Sequence, residues 1–86
     1  MDKLSAVVIT KNEEDSIRKC LDSLDNFANE IMIIDDKSTD QTVHIAKSEY
    51  NAKVIINDSK GSFDKQRNLG IEAATCEWIL QMDADE

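Results

Sequence analysis

Residues 77–86 read Glu-Trp-Ile-Leu-Gln-Met-Asp-Ala-Asp-Glu, an apolar run that leads into closely spaced acids. The run Glu77–Met82 is typical of a buried strand, and it would carry Asp83 and Asp85 to the carboxyl edge of a sheet. Open α/β sheets bind their ligands at that edge. Carboxylate oxygens are also the donors that Mg²⁺ and Mn²⁺ favour, often together with substrate phosphates. The stretch therefore predicts a strand end that is suited to a metal-bridged phosphate ligand.

Three further short runs have the apolar, β-branched composition of strands that are buried on both faces. They are Leu4–Thr10, Glu30–Asp35 and Lys53–Ile56. Segments with helical periodicity separate the strands, and they are Glu13–Asp25, Asp40–Tyr50 and Phe63–Ala74. Asn12 is the predicted N-cap of the first helix, with Asp15 as its capping-box partner. Trp78 is predicted to lie in the core of the sheet.

This β-α-β-α-β-α-β alternation predicts a parallel sheet with right-handed crossovers and helices on both faces. We expect a three-layer, Rossmann-like α/β fold with strand order 3-2-1-4, whose switch point lies between the first and fourth strands. The ends of the first, second and fourth strands would then meet at one edge. The residues expected there are Thr10, Lys11, Asn12, Asp35, Asp36, Asp83 and Asp85.

The charge of the chain restricts its partners. Its 86 residues, enough for one small domain over residues 1–86, carry a formal net charge of −8. Such a chain repels phosphates, so nucleic acid is not an expected partner, and a phosphate ligand would need a bridging cation or a local basic cluster. Lys60, Lys65 and Arg67 form the basic cluster that the sequence offers. The sequence has no Gly-x-Gly-x-x-Gly or Walker pattern, which argues against NAD-binding and P-loop proteins.

The cysteines and the apolar runs indicate the compartment. Cys20 and Cys76 match no zinc or redox spacing and are expected to be buried, reduced thiols. No apolar run approaches the roughly 20 residues of a membrane helix, and the N-terminus lacks the pattern of a signal peptide. We therefore expect a cytoplasmic protein, which in a full-length form could lie at the inner membrane.

Four motifs occur in a characteristic order: Val8–Glu14 (VITKNEE), Glu30–Thr42 (EIMIIDDKSTDQT), Lys65–Gly70 (KQRNLG) and Glu77–Glu86. Together they resemble the opening of family 2 glycosyltransferases, and they look like the branch that includes lipopolysaccharide-core β-glucosyltransferases. The resemblance covers essentially the whole chain. It implies the GT-A fold, in which the N-terminal half binds the nucleotide of a nucleotide-sugar donor, here expected to be a UDP-sugar.

The resemblance also implies roles for residues that contact the nucleoside. Thr10 and Asn12 would lie beside the base, and Asp36 would accept a hydrogen bond from uracil. Asp83 would face the ribose side of the nucleotide.

Further residues are implied for the phosphates. Asp85 would coordinate a divalent metal, Mn²⁺ or Mg²⁺, that bridges the two phosphates. Lys60 and Arg67 are candidates for contact with the base or the phosphates. In a full-length protein the acceptor would be a saccharide or a lipid-linked molecule of cell-envelope polysaccharide synthesis.

The sequence departs from the family pattern in two turns and in length. Lys37 stands where the family often has Gly or Asn, so a positive φ there would cost about 1 kcal/mol, and Cys76 stands where Gly is frequent.

The family's catalytic base and acceptor-binding half lie beyond the metal motif, and inverting transfer needs a carboxylate at the acceptor hydroxyl. The resemblance therefore gives no catalytic residue here, and the 86 residues alone are expected to be inactive.

Other interpretations remain open from the residues alone. Asp35 and Asp36 could contact a ribose or cap the next helix, and Asp83 and Asp85 could form a solvated strand end. The chain could be a non-catalytic nucleotide-binding or oligomerising fragment that pairs through an exposed sheet edge. A receiver domain would need an Asp at the end of the third strand, and a sugar nucleotidyltransferase would need a Gly-rich loop after the first. The sequence has neither feature.

Overall fold

The computed structural model describes residues 3–26 and 28–83, with only the backbone of Phe63. Its strands are β1 (Leu4–Thr10), β2 (Glu30–Asp35), β3 (Lys53–Ile56) and β4 (Trp78–Asp83). Its helices are α1 (Ile17–Asp25), α2 (Thr42–Tyr50) and α3 (Phe63–Ala73). All strand pairs are parallel, and the sheet order is β3-β2-β1-β4. The predicted fold class and strand order are thereby confirmed.

The register of the sheet aligns the carboxyl ends of the strands. Thr10 of β1 pairs with Asp35 of β2, and Asp35 in turn pairs with Ile56 of β3. On the other side of β1, Ile9 pairs with Asp83 of β4. One edge of the sheet therefore carries the last residues of all four strands, and the loops that follow them begin there.

The two central strands are buried because helices cover both of their faces. On one face, Ala6, Val8 and Ile33 pack with apolar residues of α1 and α2. On the other face, Val7, Met32 and Ile34 pack with Leu69 and Ala73 of α3. This two-sided burial explains why β1 and β2 read as continuous apolar runs and do not alternate.

The predicted start of the first helix is wrong. The helix begins at Ile17, and Ser16 rather than Asn12 is its N-cap. Asn12 has a left-handed backbone with φ 51° and lies five residues before Ile17, too far from the helix to cap it. The backbone N–H of Asn12 donates to Ser38 Oγ in the loop after β2, and that of Glu13 donates to Oγ1 of Thr42, the first residue of α2. These tertiary bonds replace the capping box that was predicted with Asp15.

The remaining predicted boundaries of helices and strands lie within two residues of the observed ones. The prediction for Trp78, however, is wrong, because its side chain is 60% exposed. Trp78 begins β4, which is at the edge of the sheet and, within the described part of the chain, pairs with β1 alone. Ile79 and Leu80 are also exposed. An apolar strand composition thus did not guarantee burial here.

Glu30 holds the opposite, amino edge of the sheet together. One of its carboxylate oxygens accepts from Ser5 Oγ at 2.8 Å and from the Thr75 N–H at 3.0 Å. The other accepts from Lys53 Nζ at 2.6 Å and from Thr75 Oγ1 at 3.0 Å. Burial alone would raise the pKa of Glu30, but the bonds from Lys53, Thr75 and Ser5 outweigh it and lower the pKa to about 2.

We predict that Glu30 makes the stability of the fold depend on pH. Its folded-state pKa of about 2 lies below the ordinary 4.5, so the folded state binds fewer protons than the unfolded state. The stabilisation is complete above about pH 4.5 and is lost as the pH falls towards 2. After allowance for screening through the exposed Lys53, it amounts to about 2 kcal/mol.

Urea unfolding between pH 2 and pH 7 measures this contribution. Glu30→Gln should lower the stability at pH 7 and flatten the pH dependence, whereas Glu49→Gln, which removes an exposed ion pair with Arg18, should leave most of that dependence in place. If the unfolding free energies of wild type and Glu30→Gln depended on pH in the same way, Glu30 would not be the source of the pH dependence.

Candidate functional site

Asp35, the last residue of β2, has a structural role at the carboxyl edge of the sheet. Its side chain is completely buried. It accepts from Thr10 Oγ1 at 2.5 Å, from Ser38 Oγ at 2.6 Å and from the Ser38 N–H at 2.7 Å. Asp35 thereby joins the end of β1 to the turn that follows β2. Thr10, predicted to lie beside a base, is at this edge, but it is buried and its hydroxyl donates to Asp35.

The turn after Asp35 has the backbone strain that its sequence suggested. Lys37 adopts a φ of 51°, a conformation that costs a residue with a side chain about 1 kcal/mol. The two bonds from Ser38 to Asp35 hold the turn in place. Strain that is maintained by surrounding bonds is frequent at functional sites.

Asp36 follows directly and is bound by a different segment. Its Oδ1 accepts from the Ser59 N–H at 2.9 Å, and its Oδ2 accepts from Ser59 Oγ at 2.7 Å. Lys11 Nζ lies 3.7 Å from Oδ2. The two bonds from Ser59, with a smaller contribution from Lys11, lower the pKa of Asp36 despite its burial. Asp36 is therefore an ionised hydrogen-bond acceptor at the edge of the sheet.

The loop after β3 is built by polar contacts that are themselves buried or half-buried. Gln66 of α3 is completely buried; it accepts from Asn57 Nδ2 at 2.8 Å and donates to the Asn57 carbonyl at 3.0 Å. Lys60 and Gly61 have φ values of 51° and 84°, so the loop turns sharply over the edge. The bonds to Asp36 and Gln66 anchor both ends of this turn.

Asn12 connects the loops after β1 and β2. Its backbone N–H donates to Ser38 Oγ at 2.8 Å, and its Oδ1 accepts from the Thr39 N–H at 2.7 Å. Asn12 lies at the predicted edge and is exposed. Its side-chain oxygen, however, already has a partner in the neighbouring loop.

Lysine side chains supply positive charge at this edge of an acidic chain. Lys11, Lys37 and Lys60 follow the ends of β1, β2 and β3, and all three are exposed. Lys37 Nζ lies 3.9 Å from Asp58 Oδ2, a pair that is weak because both side chains are solvated. The local cations that a phosphate ligand would require therefore come from three different loops.

The structure places the remaining predicted residues as follows. Asp83 ends β4 beside Ile9 and therefore lies at the same edge as Asp36. Its side chain is half-buried. Arg67 lies in α3 and pairs with Asp64 at 3.5 Å on the helix surface. Asp85, the predicted metal ligand, lies outside the described residues.

Metal binding and membrane insertion can be assessed for the residues that the structure describes. Within residues 3–26 and 28–83, no group of three or more His, Cys, Asp or Glu residues is arranged to hold a metal ion. Over the same residues, the helices are too short or too polar for one of them to cross a bilayer.

Sequence reasoning missed the side chains that hold the predicted site residues. Ser59 reads as an ordinary loop residue and Gln66 as part of the Lys65–Gly70 motif, and the sequence gives no sign that both are buried and hydrogen-bonded at this edge. Serine in a loop that also contains Asn, Asp and Gly is typical of any turn. A long-range bond from such a residue has no local pattern that could reveal it.

Comparison with known proteins identifies the family. The family model described as glycosyl transferase family 2 matches residues 5–86 of the chain. The chain belongs to glycosyltransferase family 2. The family 2 resemblance is thereby confirmed.

Two of the following three relatives are named as glycosyltransferases. An uncharacterized glycosyltransferase of Rickettsia typhi is 41% identical over 86 residues, which cover 100% of this chain and 29% of the relative. The SPbeta prophage-derived glycosyltransferase SunS of Bacillus subtilis is 42% identical over 79 residues, or 91% of this chain and 19% of that protein. A TPR repeat-containing protein of Synechococcus elongatus is 37% identical over 86 residues, covering 100% of this chain and 21% of the relative. The chain thus spans less than a third of the length of these relatives.

Proposed function

We propose that this domain binds the UDP part of a UDP-sugar for an inverting glycosyl transfer. The observation that carries the proposal is the sheet register, which brings Asp36 and Asp83 to one carboxyl edge on either side of β1. The strand order 3-2-1-4 puts the switch point of the sheet beside β1 at this edge, and α/β sheets bind ligands there. The proposal extends to the branch that the motifs resemble, that of lipopolysaccharide-core β-glucosyltransferases.

In this proposal Asp36 recognises the base. It is ionised, and each of its oxygens has one bond from Ser59, while a carboxylate can accept about four hydrogen bonds. The N3–H group of uracil is a donor that matches the remaining capacity. Thr10 and Asn12 then act mainly by fixing the walls of the base site, because their side-chain oxygens are engaged with Asp35 and Thr39.

Ribose and phosphates would occupy the β4 side of the edge. Asp83 offers a carboxylate to the ribose hydroxyls, and Asp85, two residues on, is the proposed ligand of a Mn²⁺ or Mg²⁺ ion. Such an ion offsets the charge of the two phosphates and helps the nucleoside diphosphate to leave. Exposed Lys60, in the loop after β3, and half-buried Arg67 of α3 are proposed to add to this charge balance.

The complete reaction is proposed for a longer protein. The relatives are more than three times as long as this chain, and transfer requires a base and an acceptor site. We assign neither to residues 1–86. A cytoplasmic protein that glycosylates a saccharide or lipid-linked acceptor of the cell envelope is consistent with the resemblance.

We predict that the chain binds UDP weakly and in a metal-dependent manner. Titration of UDP by calorimetry should give a dissociation constant of about 1 mM or below with Mn²⁺, and at least about tenfold weaker binding with EDTA, because the phosphates then meet an acidic edge. Asp36→Asn should weaken binding with and without metal. Asp85→Ala should abolish only the increase in UDP affinity that Mn²⁺ causes.

The matched control is Asp25→Asn, which removes the same charge near Glu30 at the opposite edge and should leave the UDP affinity unchanged. UDP binding that is indifferent to Mn²⁺ in wild type, or to Asp85→Ala, would refute the metal assignment. Unchanged binding by Asp36→Asn would refute the base assignment.

A second candidate role, self-association, is favoured by the exposed edge of β4. Trp78, Ile79 and Leu80 are 60%, 37% and 38% exposed. An exposed apolar strand edge is a template for pairing with another chain. A homo-oligomer through β4 would bury these residues without involving the nucleotide edge.

Sedimentation equilibrium over about a hundred-fold concentration range tests this role, because the mass of a reversible oligomer rises with concentration. Leu80→Lys should keep the chain monomeric, whereas Ile71→Lys, at an exposed apolar site on α3, should not. A monomeric mass throughout the range would exclude pairing through β4.

A further inference from the structure

Ser59 makes an unusual pair of contacts with Asp36. One residue donates to both oxygens of the carboxylate, its N–H to Oδ1 at 2.9 Å and its hydroxyl to Oδ2 at 2.7 Å. Both residues are buried, with exposed fractions of 4% for Ser59 and 6% for Asp36. Two simultaneous bonds fix the rotation of the carboxylate plane as well as its position. A single bond would leave that rotation free.

Ser59 is itself held firmly. Its carbonyl accepts from the Ser62 N–H at 2.9 Å, and its hydroxyl oxygen accepts from the Gly61 N–H at 3.2 Å. The Gly61 bond directs the Ser59 hydroxyl hydrogen away from the loop and towards Asp36. The orientation of the Asp36 carboxylate is therefore set by a small turn that requires no ligand to form.

We propose that Ser59 is a positioning residue for base specificity: it orients Asp36 so that a free lone pair faces the imide N–H of a uracil-type base. This inference rests on the proposed function, because it requires Asp36 to contact the base. The ligand class is a nucleotide whose pyrimidine carries a hydrogen on N3. Cytosine, which has an acceptor at that nitrogen, would be repelled by a carboxylate that is fixed in this orientation.

The electrostatics of the contact support this role. The bonds from Ser59 are the main reason that the pKa of Asp36 lies below its usual value. They offset the effect of burial, which would raise this pKa, and the carboxylate stays an ionised acceptor for an N–H donor. Lys11 Nζ, 3.7 Å from Oδ2, adds to the effect but is exposed and can move. Ser59 is the contact that combines charge stabilisation with a fixed direction.

Substitutions at Ser59 provide the test, with UDP and CDP as the probes. Wild type should bind UDP more tightly than CDP in the presence of Mn²⁺. Ser59→Ala keeps the backbone N–H and loses the hydroxyl, so it should weaken UDP binding about tenfold, the loss of one bond to a charged acceptor. CDP binding should change little, so the UDP/CDP preference falls. Ser59→Thr, which retains the hydroxyl, should restore the preference.

Two further variants separate specificity from folding. Ser62 lies in the same loop, and its hydroxyl makes no capping bond to α3. Ser62→Ala should therefore leave the UDP/CDP preference unchanged. Ser59→Cys replaces the hydroxyl with a weak donor and should give an intermediate preference. It replaces Ser59→Ala as the informative variant if thermal unfolding shows that the alanine protein does not fold.

The possible outcomes distinguish this inference from the function on which it rests. If wild type prefers UDP but Ser59→Ala or Ser59→Cys weakens the binding of UDP and CDP equally, Ser59 only builds the loop and the inference is overturned. An unchanged UDP/CDP preference in these variants overturns it as well. If wild type binds neither nucleotide, or prefers CDP, the proposed function fails and the inference fails with it.

Discussion

Two adjacent carboxylates at the end of β2 organise the carboxyl edge of this sheet. Asp35 joins that strand to the end of β1 through Thr10 and to its own turn through Ser38. Asp36 joins the same strand to the loop after β3 through Ser59. Because neighbouring side chains on a strand point to opposite faces, the pair can hold segments on both sides of the strand end. The loops that frame the proposed nucleotide site depend on these bonds.

The two acids have the same chemistry and different roles. Asp35 is completely buried and its partners are all within the protein. Asp36 is bound on both oxygens by one residue and retains capacity for another donor. Neither acid caps the helix that follows, because the N-cap of α2 is Gln41, without a side-chain capping bond. Asp35 closes a turn, and Asp36 is the member of the pair that we propose for ligand recognition.

Much of the fold was predictable from the sequence because its central strands are buried on both faces. The continuous apolar runs of β1 and β2 and the intervening helical periodicity are local signals of a parallel α/β sheet. Strand order and the meeting of strand ends at one edge followed from general rules of connectivity. The same rules predicted that Asp36 and Asp83 lie at that edge, where the structure places them.

The errors arose where tertiary contacts override local preference. The sequence around Asn12 has good capping chemistry, but its N–H donates to Ser38 in a distant loop, and the helix begins later. Trp78 has a strand-forming, apolar side chain and yet is exposed at the sheet edge. The bonds from Ser59 to Asp36 join residues 23 positions apart. None of these features has a signature within a short window of sequence.

The central claim, that a metal-bound diphosphate lies at the carboxyl edge, is tested most directly by paramagnetic Mn²⁺ in amide NMR spectra. With UDP and Mn²⁺, the account predicts broadening of the Asp36, Ser59 and Asp83 amides relative to a Mg²⁺ control. Glu30 and Thr75, about 20 Å away at the amino edge, should keep sharp signals. Broadening centred on Glu30, or spread over the surface acids and independent of UDP, would contradict the account.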